Sequence, residues 1–319
     1  MKLTVLITFL NEEKMITNTH TAVKTVLEKM VPDQLSDYEL LYIDDGSTDT
    51  TLSLIERIAV QDPHVRYISF SRNFGREGGI LAGFRYASGD AVLVMDGDLQ
   101  HPPSLIPDFL SAYKEGYDIV SGQRDRTGEK ASSTFFARAF YALSNRFMDV
   151  KLQDGKSEFR LLSRKAVDTF ISLPEYNRFN KGLYEWIGFK EKVIPYQNQV
   201  RQAGQSKFSF GKSLNYAMQG IISFNDKPLR FCLQLGTVAT LLALAYLFVE
   251  LLKYVTSPEA SVSGYFTTIA AIILFGGVQL ISIGILGEYI GKIYYEVKKR
   301  PHYIINSSNI DKANKEGLG

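Results

Sequence analysis

Two long apolar runs constrain this chain more than any other feature. Phe231 to Leu252 covers 22 residues with Glu250 as its only charge, and Tyr265 to Gly287 covers 23 with none. At 1.5 Å per residue each would form a helix about 33 to 35 Å long, enough for a hydrocarbon core of about 30 Å. Two such runs split by one short polar loop read as membrane spans rather than buried helices of a soluble protein. A mean hydropathy of −0.06 conceals this division, because residues 1 to 228 are mixed and charged. Lys227 and Arg230 precede the first run, and Lys298, Lys299 and Arg300 follow the second. The positive-inside rule therefore expects a multi-pass protein of the cell membrane, with its N-terminal domain and C-terminal tail in the cytoplasm. Leu3 to Leu10 is apolar but runs into Asn11-Glu12-Glu13 without a small-residue cleavage site, so no cleavable signal is expected there.

Charge and cysteine content remove several classes of function. Thirty-six Lys and Arg against 34 Asp and Glu leave a net charge of +2, so no global field points to nucleic acid. The single cysteine, Cys232, excludes an intrachain disulfide and a cysteine-based zinc site.

The first 125 residues alternate between β-branched apolar runs and amphipathic segments. Leu3–Phe9, Tyr38–Ile43, Val65–Phe70 and Ala91–Met95 read as buried strands, each followed by a helical pattern, which predicts a doubly wound, mainly parallel α/β sheet. Asn11 is expected to cap the first helix, and Ser47 the second, with Asp49 in its first turn. Tyr117–Gly122 and Phe159–Leu162 read as later strands, and Phe208–Phe224 as an amphipathic segment lying at the headgroup layer.

Chemistry concentrates where the strands end. Asp44 and Asp45 follow the second strand, and Asp96-Gly97-Asp98 the fourth. In an open α/β sheet that edge is where ligands bind. Two carboxylates on one turn can hold a divalent cation such as Mg²⁺ together with substrate phosphates, although Asp and Gly are also ordinary turn residues. Arg72 and Arg76 bracket a glycine-rich turn that opens a helix, and this turn suits either phosphate binding or close packing.

Taken in order, the motifs are specific. Asn11–Glu13 (NEE), Asp44–Asp49 (DDGSTD), Ser71–Gly79 (SRNFGREGG) and Met95–Pro103 (MDGDLQHPP) come first. Phe159–Arg164 (FRLLSR), an RxxGxSK pattern from Arg201 to Lys207, and Leu286–Tyr303 follow. The chain resembles the inverting, GT-A-type family 2 glycosyltransferases that load a sugar onto a polyprenyl phosphate, such as bacterial undecaprenyl-phosphate glucosyltransferases and dolichol-phosphate mannose synthases. The resemblance implies a GT-A domain over residues 1 to 207 and an amphipathic juxtamembrane segment over 208 to 228. Two transmembrane helices within 229 to 291 (about 231–252 and 265–287) and a basic tail over 292 to 319 complete it.

The same resemblance implies a nucleotide site at Leu10, Glu12, Asp44, Asp45, Ser71, Asp96 and Gly97. Asp98, with Asp96 and Gln100, would hold Mg²⁺ or Mn²⁺ against the donor diphosphate, Asp96 serving the ribose or metal-bound water. Arg124, Arg126, Arg201, Ser206 and Lys207 would face the acceptor phosphate or the diphosphate, Arg124 and Arg126 also counting among the catalytic residues. Two departures stand out. Phe9 occupies a position where many relatives carry proline, and Asp154–Phe159 reads DGKSEF where some have D-x-G-D-F. Either Asp154 or Glu158 is then the active-site acid, with Asp154 preferred. The implied partners are a nucleotide sugar, undecaprenyl phosphate, the bilayer and a second copy of the chain. Glucose from UDP-glucose is the first choice of donor, with N-acetylglucosamine, galactose and mannose as alternatives. A processive polysaccharide synthase would carry Gln-x-x-Arg-Trp, but the only tryptophan, Trp186, lies in LYEWIG. A non-catalytic nucleotide-binding membrane scaffold is the rival from another class.

Overall fold

In the computed structural model, residues 1–125, 145, 151, 153–197, 225, 227–256 and 264–310 are described. The domain is an α/β sandwich built on one eight-stranded sheet. Its strands are β1 (Lys2–Phe9), β2 (Asp37–Asp44), β3 (Val65–Phe70), β4 (Ala91–Asp96), β5 (Ile119–Arg124), β6 (Lys156–Ser163), β7 (Glu191–Tyr196) and β8 (Ile305–Ser308). They lie in the order β7-β5-β6-β4-β1-β2-β3-β8. The β4-β1-β2-β3 block is parallel throughout, and β6 and β8 run antiparallel to the neighbours that flank it. This is the mainly parallel, doubly wound arrangement expected from the alternation of apolar strands and amphipathic helices.

Helices cover both faces. Alternate residues of β1 (Leu3, Val5, Ile7, Phe9) enter one core with Ile16, Val23 and Leu27 of α1 (Ile16–Met30), as the two-residue period of a strand requires. That core also receives α2 (Thr51–Gln61) and α4 (Ile106–Lys114). Leu6 points to the opposite face, into a core formed with α3 (Arg76–Tyr86) and α5 (Arg164–Ser172). Each such buried aliphatic side chain contributes about 1.5–3 kcal/mol. Gly83 of α3 serves packing, since a Cβ there would lie 2.2 Å from Leu6 Cδ1. In the turn that opens this helix, a Cβ on Gly79 would lie 3.2 Å from Thr8 Cγ2 and one on Gly78 3.3 Å from the His302 carbonyl oxygen, while Gly75 takes φ 89.

Both expected helix caps differ from what forms. Helix α1 begins only at Ile16, and α2 at Thr51. Asn11, at φ 53, instead accepts a hydrogen bond from the Thr48 N–H at 2.8 Å, while its own N–H donates to Ser47 Oγ at 3.0 Å. The two loops at the ends of β1 and β2 therefore satisfy each other. Asp49 does accept from the Thr51 N–H at the start of α2, at 3.0 Å.

Two long helices follow, α7 (Lys227–Thr256) and α8 (Tyr265–Lys298), after the short α6 (Asn180–Trp186). Leu233, Leu242, Ile272, Leu280 and Ile281 are among many exposed apolar side chains on them, the surface expected of helices solvated by lipid. Helix α8 runs on beyond the expected span, and Glu296 near its end accepts hydrogen bonds from the N–H groups of Tyr176 and Asn177, both at 2.9 Å. The chain then returns to the sheet, where β8 pairs with β3. The stretch read from sequence as a tail thus supplies an edge strand.

Candidate active site

The parallel register brings three strand ends level. Phe9 pairs with Asp44, and Thr8 with Asp96, so β1, β2 and β4 deliver their last residues to one edge. Leu10 and Glu12 lie in the loop that leaves β1, where the Glu12 N–H donates to Thr51 Oγ1 at 2.9 Å. Asp44 is buried and accepts from Ser69 Oγ at 2.7 Å and from the Ser47 N–H at 3.1 Å. Asp45 accepts from the N–H groups of Phe74 (2.7 Å) and Gly75 (3.0 Å). Burial pushes Asp45 up to about 6, and those two N–H groups oppose the rise. The adjacent acids thus hold the loops after β2 and β3 in shape. Ser71 is exposed beside them, its N–H bonded to the Ile304 carbonyl at 2.9 Å.

The turn after β4 is built tightly. Gly97 has its carbonyl bonded by Thr19 Oγ1 at 2.7 Å. Leu99 takes φ 58, the left-handed region that a side chain rarely adopts. Asp98 is 8% exposed and accepts from the Gln100 N–H at 3.1 Å. Asp96 is held from two sides. Arg76 Nη2 donates to its Oδ1 and Oδ2 at 2.6 and 2.8 Å. The Asp96 N–H donates to His101 Nδ1 at 3.0 Å, which places the ring proton on Nε2, 3.8 Å from Asp96 Oδ2. Burial holds this imidazole below its ordinary pKa, consistent with a neutral ring. Its face stacks on Phe159 at 5.1 Å, which ties the turn to β6.

Among the described residues no group of three or more His, Cys, Asp or Glu side chains is arranged to hold a metal ion. Two hard carboxylates on one turn nevertheless fit Mg²⁺ or Mn²⁺, because such ions take one or two carboxylates and complete their shell with substrate phosphates and water. Asp98, beside Gln100, and Asp96 are the groups that would hold it.

Strand β6 separates the two candidate acids. Asp154 lies on the turn before it, its carbonyl accepting from Gln123 Nε2 at 2.6 Å. The same turn meets β5, where the Arg124 N–H donates to the Gly155 carbonyl at 3.0 Å. Glu158 is buried, and its Oε2 has no hydrogen-bond partner among the described residues. The half-buried Glu77 carboxyl is raised by desolvation and by Glu158, and Lys181 is lowered by burial while Glu158 opposes that shift. Behind them, Lys156 binds Glu185 at 2.7 Å and Glu191 at 2.6 Å. Removing one partner of such a buried pair costs about 3–5 kcal/mol, so this end of β6 is firmly fixed.

Arg126, Arg201, Ser206 and Lys207 lie outside the described residues, as does nearly all of the amphipathic segment 208–228. Sequence reasoning missed His101, Glu77 and Lys181 as members of this neighbourhood. His101 stood inside the MDGDLQHPP motif; nothing local marks Lys181, which α6 brings in from far along the chain.

Family models and sequence relatives agree with one another. Residues 4–170 match the model of glycosyl transferase family 2, and residues 227–293 match that of the GtrB C-terminal hairpin. CsbB of Bacillus subtilis (strain 168), which carries a glycosyltransferase name, is 50% identical over 86% of this chain and 83% of its own length. A prophage-derived bactoprenol glucosyl transferase of Shigella flexneri is 39% identical over 97% of this chain and 99% of its own. Among solved structures, the mannosyltransferase PcManGT from Pyrobaculum calidifontis, in complex with GDP-Man and Mn²⁺, aligns with a TM-score of 0.41. It is 15% identical over 93% of this chain and 86% of its own.

Proposed function

Since the chain belongs to glycosyl transferase family 2 and is a glycosyltransferase, we propose that it moves glucose from UDP-glucose to undecaprenyl phosphate at the cytoplasmic membrane face, with inversion. The observation that carries this reading is the meeting of the acid turn, Arg76 and Glu158 at one sheet edge, in a chain bearing two exposed apolar helices. The relatives named bactoprenol glucosyl transferase support a polyprenol acceptor and glucose.

The nucleotide sits in this reading along the edge formed by Leu10, Glu12, Asp44, Asp45, Ser71, Asp96 and Gly97. Mg²⁺ or Mn²⁺ at Asp98, when bound, offsets charge on the donor diphosphate, a Lewis-acid contribution worth several kcal/mol. The acceptor phosphate is already largely dianionic at pH 7, with a second pKa of about 6. Its oxygen forms the new bond to the sugar's anomeric carbon as the bond to the diphosphate breaks, and no proton need be removed. Glu158 therefore orients sugar or acceptor rather than serving as a strong base. We assign this role to Glu158 over Asp154 because it is buried toward His101 and Lys181, whereas Asp154 sits on the preceding turn. Arg124, Arg126, Arg201, Ser206 and Lys207 are the groups proposed for acceptor phosphate or diphosphate.

The return of the chain from α8 to β8 supports a domain on the same side of the bilayer as the end of α8. The basic residues flanking the spans support the cytoplasmic side. On Gly236, Gly276, Gly277, Gly284, Gly287 and Gly291 a Cβ would meet nothing within 4 Å among the described residues, faces that suit a second copy of the chain.

A donor panel of UDP-glucose, UDP-galactose, UDP-N-acetylglucosamine and GDP-mannose, each with undecaprenyl phosphate and Mg²⁺ or Mn²⁺, tests the proposal by mass of the glycolipid. Transfer of glucose from UDP-glucose is expected. Transfer of another sugar alone would replace the donor, and no transfer from any would favour the scaffold.

A further inference from the structure

Arg76 is the first residue of α3, a place where a cation opposes the helix dipole and an anion is favoured. The structure offsets this by laying its guanidinium across both oxygens of Asp96, at 2.6 and 2.8 Å. Neither partner is sealed in: the Arg76 side chain is 43% exposed and that of Asp96 is 29% exposed. A pair so open to water contributes little, so exchanging it for another anion costs little. The exchange would not set Asp96 adrift, because the His101 ring remains against it and is itself pinned on Phe159. The arginine thus stands at the acid turn beside the α3 backbone amides, where a diphosphate would lie.

We propose that Arg76 is a leaving-group cation held in reserve: it passes from Asp96 to the donor's diphosphate as the donor binds, freeing Asp96 for the ribose or metal-bound water. With the site empty, the pair neutralises both charges and spares the acid turn from repelling an incoming anion. With the donor bound, the planar fork of the guanidinium suits two phosphoryl oxygens. This inference rests on the reading that the edge binds a nucleoside diphosphate sugar. It adds a residue and an order of events to that reading.

The test uses the full chain in detergent, with uridine and UDP as probes, titrated calorimetrically without metal and then with Mg²⁺. Arg76→Gln should weaken UDP by about 10- to 100-fold, the scale of a lost charged hydrogen bond, while uridine affinity stays within about threefold. Arg76→Lys should recover part of the loss. Asp96→Asn should weaken uridine, because the ribose loses a carboxylate. It should weaken metal-free UDP several-fold less, because Asp96 then no longer competes with the diphosphate for the guanidinium, and adding Arg76→Gln should cancel that difference. A merely structural ion pair predicts instead that Asp96→Asn weakens uridine and UDP alike and that Arg76→Gln weakens both as well. That result, or unchanged UDP affinity in Arg76→Gln, overturns the exchange. Failure of the unaltered protein to bind UDP at all overturns the nucleotide reading beneath it.

Discussion

The ring of Phe9 fills the space a side chain on Gly97 would need: a Cβ there would lie 2.4 Å from Phe9 Cε1. Phe9 ends β1, Gly97 begins the acid turn, and the ring also packs edge-on against Tyr42 at 5.3 Å. The residue that stands in place of proline is therefore part of how this chain shapes its acid turn. Gly97→Ala should lower the melting temperature of the full chain in detergent by several degrees, as overpacking costs about 1–3 kcal/mol. Adding Phe9→Leu should restore part of it. A double variant no more stable than Gly97→Ala alone would separate the two residues.

Asp98→Asn is expected to reduce metal-dependent transfer about 100-fold or more, the scale of several kcal/mol. Far-UV circular dichroism should be unaltered, since Asp98 lies on a turn outside the strands and helices. Near-normal turnover would remove Asp98 from the metal site.

Glu158→Gln should cost at least about tenfold in turnover, or 1.4 kcal/mol, with little change in UDP affinity. Asp154→Asn should stay within about threefold on both. The opposite ranking in a side-by-side assay would return Asp154 to the role.

Asp45 links folding to pH with a sign that can be worked out. Burial raises it to about 6 from an ordinary 3.8, so between those values the folded chain binds more protons than the unfolded one. Its contribution to stability therefore falls as pH rises from about 4 to about 6. Asp45→Asn lacks this dependence. Relative to the unaltered protein, the variant should gain stability by up to about 3 kcal/mol across that window and change no further above pH 7. Melts at pH 4, 5, 6, 7 and 8 decide it. A constant difference would show that Asp45 titrates normally.

Glu296 joins α8 to the catalytic domain through Tyr176, Asn177 and the Asn177 side chain. Hydrogen bonds to a charged group are worth about 1.5–3 kcal/mol. Glu296→Ala should quicken amide hydrogen exchange at Tyr176 and Asn177 by about 10- to 100-fold with helix content preserved. Unchanged protection would mean that the stacking of Tyr176 on His302, at 5.3 Å, holds the joint without the carboxylate.

The sequence by itself determined what depends on short stretches of chain. Apolar period and length marked the strands and the two long helices, and the position of Asp44, Asp45, Asp96 and Asp98 after apolar runs placed them at strand ends. A strand's end is a local property, which is why those residues could be read without coordinates. The failed caps show the limit. Asn11 and Ser47 carry the right side chains, but once β1 and β2 lie side by side each finds the other loop before it finds a helix. Only the tertiary structure decided which distant groups meet. Arg76 reaches Asp96 across 20 positions, Asp45 takes the N–H groups 29 and 30 positions on, and Asn309 accepts from the Tyr67 N–H across 242. The physical reason is that strand order and register, which follow from packing the whole sheet, set these distances; no window of sequence contains them.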